Sequence, residues 1–184
     1  MKKIIISVLG NDRPGIIAAV SRLLYENDSN IENVSQTSLQ SEFAGIFIAT
    51  IPKRMPLPEL EEKLAATLAP MELQVHVKPV EPRHEESNAQ GVESFVITTR
   101  GPDQKGLVAR ITEIIARHQV NITNCQAVFK GGDDPHDNIM IYEVDIPPQT
   151  HQQALFQDLR AGGAELNLSV SIQHREIFMT LNRI

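Results

Sequence analysis

The chain has 184 residues, of which 41% are hydrophobic and 22% are charged, values typical of a globular protein. Its net charge of −6 argues against direct binding of DNA or RNA, because neutralising phosphates requires clustered lysine and arginine. The one cysteine, Cys125, excludes an intrachain disulfide and favours a reducing cytoplasmic location. No apolar run approaches the roughly 20 residues of a membrane helix, so we expect no membrane partner.

The chain begins with a predicted buried strand and a helix. The strand covers Ile4 to Leu9, a short run dense in β-branched residues. Asp12 then precedes an apolar stripe at helical spacing, with Pro14 in its first turn. The pattern predicts a helix that begins near Arg13 and ends in the polar run 27–30.

The following elements complete one sheet. Strands are predicted from about Ile31 to Leu39 and from Phe43 to Ile51. Leucines at helical spacing and then alternating apolar residues predict a second helix and a fourth strand: Leu57, Leu60, Leu64, Leu68, then Leu73, Val75, Val77. The order βαββαβ indicates an α+β ferredoxin-like fold, with one antiparallel sheet and both helices on one face.

This pattern occurs twice. Two motifs return at a constant offset of 91 residues: Gly10-x-Asp12-x-x-Gly15 as Gly101-x-Asp103-x-x-Gly106, and Asn30-Ile31-x-Asn33 as Asn121-Ile122-x-Asn124. The stripe of the first helix shifts with them: Ile16, Val20, Leu23 and Leu24 become Leu107, Ile111, Ile114 and Ile115. A constant offset over this length indicates a duplicated fold.

The duplication sets the predicted domains at residues 1–80 and 92–175, joined by a polar linker at 81–91. Later elements of the second copy run at an offset of 95, which predicts a four-residue insertion within 131–137, in an exposed loop. The tail, 176–184, is apolar at 177–181 and predicts either an extra edge strand or an oligomer contact.

No residue set indicates catalysis, a metal or a cofactor. Cys125 stands where the first copy has Val34, so we interpret it as a small half-buried filler and not a nucleophile. The histidines lack zinc-site spacing, and no Gly-x-Ser-x-Gly is present. A group of hard ligands fits a solvated loop tip better than a calcium site: Asp133, Asp134, His136, Asp137. We therefore predict that the chain is not an enzyme.

The repeated loop offers binding chemistry instead. A turn bounded by glycine that leads into a helix presents unpaired N–H groups at the positive end of the helix dipole, where a carboxylate or phosphate binds. Gly15 and Gly106 lack a Cβ, so a ligand can approach the backbone. The Lys-Ser or Lys-Thr pair of a phosphate loop is absent, which favours a small carboxylate.

A purely structural interpretation stays open beside this one. Asp12 and Asp103 would then be N-caps, the glycines would form turns, and Asn30 and Asn121 would be left-handed helix exits. Both interpretations can hold together.

These motifs resemble the ACT domain, a small regulatory βαββαβ module that binds amino acids. The resemblance covers both copies, nearly the whole chain. Two such domains with no attached enzyme, together with Asn30-Ile31-Glu32-Asn33 and Leu39-x-x-Glu42-Phe43, are similar to the glycine cleavage system transcriptional repressor family. The resemblance implies an amino-acid sensor, with glycine as a candidate ligand, that modulates transcription of glycine metabolism through a protein partner. The alternative is a regulatory subunit or partner of a metabolic enzyme.

In ACT pairs the family implies that two sheets join edge to edge, with ligands at the seam between the first loop of one unit and the second strand of the other. Carried onto this chain, the implied ligand-binding residues are Asn11, Asp12, Gly15, Asp103 and Gly106 in the loops and Asn30, Ile31, Asn33, Asn121, Ile122 and Asn124 in the strands. The helix end would bind the carboxylate of the ligand, and side-chain or main-chain oxygens of the asparagines would accept hydrogen bonds from its ammonium group. Residues 11–14 differ from 102–105, so one of the sites could be degenerate.

Two further expectations concern macromolecules. Tandem RNA-binding domains share the βαββαβ order but need exposed aromatics on their first and third strands. Phe47 and Tyr142 match on the third strands, whereas only Phe95 stands on a first strand, which disfavours RNA. We also predict a homodimer, because small domains and the apolar tail leave surface to cover.

Overall fold

A computed structural model describes residues 1–81, 91–129 and 138–181. Two compact units divide the chain, Met1–Arg83 and His84–Ile184. The predicted insertion at 131–137, its group of hard ligands and most of the predicted linker lie outside the described residues. Within the described ranges no helix is long and apolar enough to cross a membrane, and no three His, Cys, Asp or Glu side chains group as a metal site.

Each unit has the predicted βαββαβ order. The first contains β1 Lys2–Asn11, α1 Ile16–Glu26, β2 Asn30–Leu39, β3 Glu42–Ile51, α2 Leu57–Leu68 and β4 Gln74–Pro79. The second contains β5 Glu93–Gly101, α3 Leu107–Arg117, β6 Asn121–Phe129, β7 Asn138–Ile146, α4 Gln152–Glu165 and β8 Ser169–His174. The sheet orders are β2-β3-β1-β4 and β6-β7-β5-β8, with antiparallel pairs throughout. The two ferredoxin-like domains are confirmed, while their joining edge to edge and the domain bounds stay predictions.

The core of each unit lies between the sheet and its two helices. On β1 the buried residues alternate with more exposed ones, because successive side chains point to opposite faces of a strand. Leucines four residues apart put one face of α2 into the same core: Leu60, Leu64, Leu68. The second unit repeats this arrangement with Ile111, Ile114 and Ile115 from α3.

The first helix of each unit begins later than predicted. α1 starts at Ile16, not near Arg13, and the residue before it is Gly15 with φ 100°. Gly106 holds the same place before α3 with φ 90°. This left-handed conformation is strained for residues with a Cβ, so glycine fixes the point where the helix starts.

The structural roles predicted for the aspartates and asparagines are wrong. Neither α1 nor α3 has a side-chain N-cap, so Asp12 and Asp103 do not cap them. The left-handed residues after these helices are Asp28 and Gln119, with φ 54° and 56°. Asn30 and Asn121 instead begin β2 and β6.

The described part of the C-terminal tail, residues 176–181, is helical and not an edge strand. Residues Arg175–Leu181 form α5, which contacts β5 and β8. The Nδ1 of His174 accepts a 3.4 Å hydrogen bond from the N–H of Glu176 and so satisfies a donor of the first turn. An ion pair of 3.3 Å between Arg175 Nε and Glu143 Oε2 joins the start of α5 to β7. Ile177 and Met179 remain exposed, so an oligomer contact stays a prediction.

Candidate ligand-binding site

The aspartate of the repeated motif fixes the first loop to a strand hairpin. The N–H of Asp12 donates to the carbonyl oxygen of Ser41 at 2.7 Å, and Ser38 Oγ donates to Asp12 Oδ2 at 2.7 Å. In the second unit Asn138 Nδ2 donates to Asp103 Oδ1 at 3.3 Å. The Asp12 carboxylate therefore faces the end of β2, and the Asp103 carboxylate faces the start of β7.

The first glycine of the motif is required by packing. A Cβ built on Gly10 would lie 3.0 Å from the carbonyl oxygen of Glu72, and one on Gly101 would lie 2.7 Å from that of Asn167. Real Cβ atoms essentially never come closer to backbone than this. The first glycine therefore lets the first strand of each unit pass against the turn before its fourth strand.

The second glycine leaves space open. A Cβ on Gly15 would meet only the methyl of Met71, at 3.5 Å, and one on Gly106 would meet no atom within 4 Å. The requirement at these two positions is the left-handed φ and not a close protein contact. A ligand can occupy the room above Gly106 without displacing a described side chain.

The N-terminus of α3 presents free donors beside this space. The first bond within the helix runs from the Arg110 N–H to the Gly106 carbonyl oxygen, at 2.9 Å. The N–H groups of residues 107–109 therefore have no partner within the helix, and no side chain caps them. Together with the helix dipole they favour an anionic group at this end.

A cavity of about 390 Å³ lies against this helix end. Asp103, whose carboxylate accepts the hydrogen bond from Asn138, is one of its polar lining residues. Most other contacts are apolar, and the lining residues come from the loop, the helix and two strands: Asp103, Gln104, Gly106, Leu107, Val108, Ala109, Ala127, Asn138, Met140. The cavity thus combines donors for an anion, a carboxylate for a cation and apolar walls.

Within one unit the structure does not bring the predicted loop and strand residues together. Asn11 pairs with Glu42 at the start of β3, whereas Asn30 pairs with Thr50 near its end. Eight strand residues at about 3.3 Å each separate the two groups by about 26 Å. Asn121 is likewise paired at the far end of β7 from Gly101, the last residue of β5. A shared site would need the strand residues of another unit, which is the arrangement that the resemblance implies.

The strand residues themselves have local contacts. Ile31 and Ile122 pack against the cores of their units, and a bulge follows each of them. Asn124 Nδ2 donates to Glu143 Oε1 at 2.9 Å. Asn30 and Asn33 lie exposed on β2, the edge strand of the first sheet.

The prediction from the sequence included none of the cavity residues that lie on strands: Ala127, Asn138 and Met140. Ala127 and Met140 face each other across β6 and β7. The alignment of the two copies already contained a signal, because Asn138 and Met140 stand where the first copy has Phe43 and Gly45. Only the strand register identifies Asn138 and Met140 as cavity residues, because it places them below the N-terminus of α3.

Two other predicted features are settled by burial. Cys125 is exposed on the edge strand β6, so its prediction as a half-buried filler is wrong. Partial burial of the thiol still raises the pKa of Cys125, which disfavours the reactive thiolate. Phe47 and Tyr142 are fully buried, and neither offers a face on which an RNA base could stack. Phe95 packs edge-on against Phe156, with ring centroids 5.2 Å apart.

Comparison with known proteins gives a consistent result. The model of the ACT domain matches residues 2–78 and 93–173. A UPF0237 protein of Methanosarcina acetivorans is 34% identical over 91 residues, covering 49% of this chain and 95% of that protein. A UPF0237 protein of Corynebacterium glutamicum is 44% identical over 70 residues, covering 33% of this chain and 79% of that protein.

Solved structures share the fold over most of the chain. An unknown protein from Galdieria sulphuraria superposes with a TM-score of 0.77 at 19% identity, covering 94% of this chain and 98% of that one. A candidate glycine cleavage system transcriptional repressor superposes with a TM-score of 0.69 at 20% identity, covering 94% and 96%. At these identities the likeness concerns the fold alone.

Proposed function

The chain belongs to the ACT domain family, and from this premise we propose that it is a cytoplasmic, non-enzymatic sensor of an amino acid that regulates through a protein partner. The observation that carries the proposal is the cavity at the N-terminus of α3. The N–H groups of residues 107–109 would bind the ligand carboxylate, and the Asp103 carboxylate would bind its ammonium group. The apolar walls would then contact the carbon atoms of the ligand.

The eleven residues named from the family resemblance remain our proposed binding set. The loop residues would serve two duplicated sites separately, with Asn11, Asp12 and Gly15 at the start of α1 and Asp103 and Gly106 at the start of α3, and the strand residues would complete each site from another unit. This division agrees with their separation of about 26 Å within a unit. Asp103 and Gly106 are the two members of the set that line the cavity.

We propose glycine as the first ligand to test and transcription of glycine metabolism as the regulated process. The support is the resemblance of the repeated motifs and the fold shared with the candidate glycine cleavage repressor. Because a net charge of −6 disfavours direct contact with DNA, the regulation would run through a separate activator. The exposed Ile177 and Met179 of α5 support homodimer formation.

A thermal-shift panel of the twenty common amino acids tests the sensing function. A ligand at 100 times its Kd stabilises the folded state by about 2.7 kcal/mol, which is readily measured. We expect glycine or a close analogue to give such a shift, and a panel with no shift at all would overturn the proposal. A pull-down with the positive amino acid present then identifies the partner: a transcription activator supports the proposal, and a metabolic enzyme supports the alternative.

A further inference from the structure

The two units differ at one strand position that lies below the helix end. In the first unit Gly10 pairs with Phe43, and in the second unit Gly101 pairs with Asn138. The strand registers therefore make Phe43 and Asn138 equivalent. Two residues further along, Gly45 and Met140 are equivalent in the same way.

Phe43 is a large buried side chain at the position equivalent to Asn138. Its side chain is 3% exposed and belongs to the same core cluster as Ile16, the first residue of α1. A Cβ built on Gly45 would lie 2.7 Å from Phe43 Cζ and 2.8 Å from Cε1. The ring thus lies directly over the Gly45 backbone, on the side of the sheet that carries α1.

The second unit has no large apolar side chain at the equivalent position. Asn138 is shorter than phenylalanine, only partly buried, and its amide is bonded to Asp103. Leu107, the equivalent of Ile16, is buried but does not belong to the core cluster found among the described residues of this unit. The cavity of about 390 Å³ occupies the gap between them.

The helix ends do not account for the difference. Gly15 and Gly106 have nearly the same φ, 100° and 90°, and neither helix has a side-chain cap. Both ends therefore offer free N–H groups to a carboxylate. The units differ in the side chains around the helix end: the first has the buried Phe43 and the Met71 methyl, 3.5 Å from a Cβ built on Gly15, whereas a Cβ on Gly106 meets no atom within 4 Å.

We infer that each chain binds one amino acid, at the second unit, and that Phe43 closes the equivalent site of the first unit. This inference rests on the proposed function and deepens it, because it assigns the ligand to one of two duplicated sites. The residue at position 138 then determines whether a site is open. A small side chain admits the ligand and a phenyl ring excludes it.

Reciprocal exchange of the two residue pairs tests the inference. Phe43→Asn with Gly45→Met gives the first unit the residues of the second, and Asn138→Phe with Met140→Gly does the reverse. Calorimetry with glycine, or with the amino acid that the thermal-shift panel identifies, should give one site per chain in the parent. We expect two sites in the first variant and none in the second. The single change Asn138→Phe, which adds volume to an existing cavity, serves if a double variant does not fold.

A second readout uses acetate as the smallest carboxylate probe and does not depend on the ligand side chain. In amide NMR spectra of the parent, acetate and glycine should shift the resonances of residues 107–109 and leave those of 16–18 in place. Phe43→Asn should make residues 16–18 respond. Two sites per chain in the parent, or unchanged binding by Asn138→Phe, would overturn the inference while the sensing function stands. If no amino acid shifts either helix end, the proposed function and this inference both fail.

Discussion

Ser38 Oγ donates a 2.7 Å hydrogen bond to Oδ2 of Asp12, which joins the first loop to the end of β2. Asp12 therefore stabilises the loop by a tertiary bond and not by capping α1. We expect Asp12→Ala and Ser38→Ala each to lower the free energy of unfolding by about 0.5 to 1.5 kcal/mol. Because both lose the same bond, the double variant should cost clearly less than the sum in urea unfolding. Additive costs, within about 0.3 kcal/mol, would show that the bond contributes nothing.

Two buried glycines let α4 pack closely in the second unit. A Cβ added at Gly162 would clash with Ile114 of α3, and one at Gly163 with Val170 of β8. Replacing glycine by alanine inside a helix ordinarily stabilises by about 0.5 to 1 kcal/mol, whereas overpacking a core costs about 1 to 3 kcal/mol. We expect the cost of the clash to exceed the gain in helix propensity, so that Gly163→Ala lowers the free energy of unfolding.

The matched control for this prediction is Val170→Ala, which removes the clashing methyl groups. Combined with Gly163→Ala, it should cost less than the two single changes added together, because the new Cβ then has room. A Gly163→Ala variant that is more stable than the parent would show that the helix adjusts without strain.

The hydroxyl of Tyr142 is buried and has no hydrogen-bond partner among the residues that the structure describes. The equivalent position in the first unit is Phe47, which is also fully buried. Since a buried polar group without a partner costs about 1 to 3 kcal/mol, Tyr142→Phe should leave stability unchanged or raise it at neutral pH. Chemical unfolding at pH 7 checks this, and a loss of more than 1 kcal/mol would show that the hydroxyl has a partner after all.

The same tyrosine predicts a loss of stability at alkaline pH. Burial, with a smaller effect of Cys125, raises the pKa of Tyr142 to about 12 from an ordinary 10. The folded state therefore holds the phenolic proton more tightly than the unfolded state does. This stability is complete below pH 10 and is lost as pH rises toward 12, by about 2 to 3 kcal/mol in total. The difference in unfolding free energy between the parent and Tyr142→Phe, followed from pH 9 to 12, should change by this amount; a constant difference would contradict the shift.

The sequence was sufficient for both sheets and their helices because the apolar patterns of the strands and helices recur in the second copy at constant offsets. The sequence was insufficient where the conformation of one residue or one turn sets the bounds or the type of an element. Asp12 and Pro14 are favourable at a helix start, yet the left-handed Gly15 delays α1 to Ile16. Likewise the apolar tail has a composition that suits a strand, yet Arg175–Leu181 form a helix whose first turn contacts His174 and Glu143.

The candidate site was partly predictable for a similar reason. Repetition identifies the motif glycines and aspartates, so the sequence alone predicts Asp103 and Gly106, both of which line the cavity. Phe43 and Asn138 differ between the two copies, but the sequence alone does not show where in the fold these residues lie. Only the register that pairs them with Gly10 and Gly101 places them below a helix end.

The second glycines of the two motifs provide a matched test of the site. Gly15→Val and Gly106→Val impose a β-branched residue on nearly the same left-handed backbone, with φ 100° and 90°. We expect similar losses of stability, on the order of 1 to 2 kcal/mol or more, because the conformational strain is shared. A Cβ at Gly106 meets no protein atom within 4 Å, so a valine there would project into the space assigned to the ligand.

The two valine variants should therefore differ in ligand affinity although their losses of stability are similar. Calorimetry with the amino acid that stabilises the parent should show at least a tenfold weaker affinity for Gly106→Val and an unchanged affinity for Gly15→Val. Gly106→Ala, with its smaller side chain, should fall between them and serves if the valine variant does not fold. The reverse order, with binding lost in Gly15→Val and kept in Gly106→Val, would place the site in the first unit and show that Phe43 moves aside for the ligand.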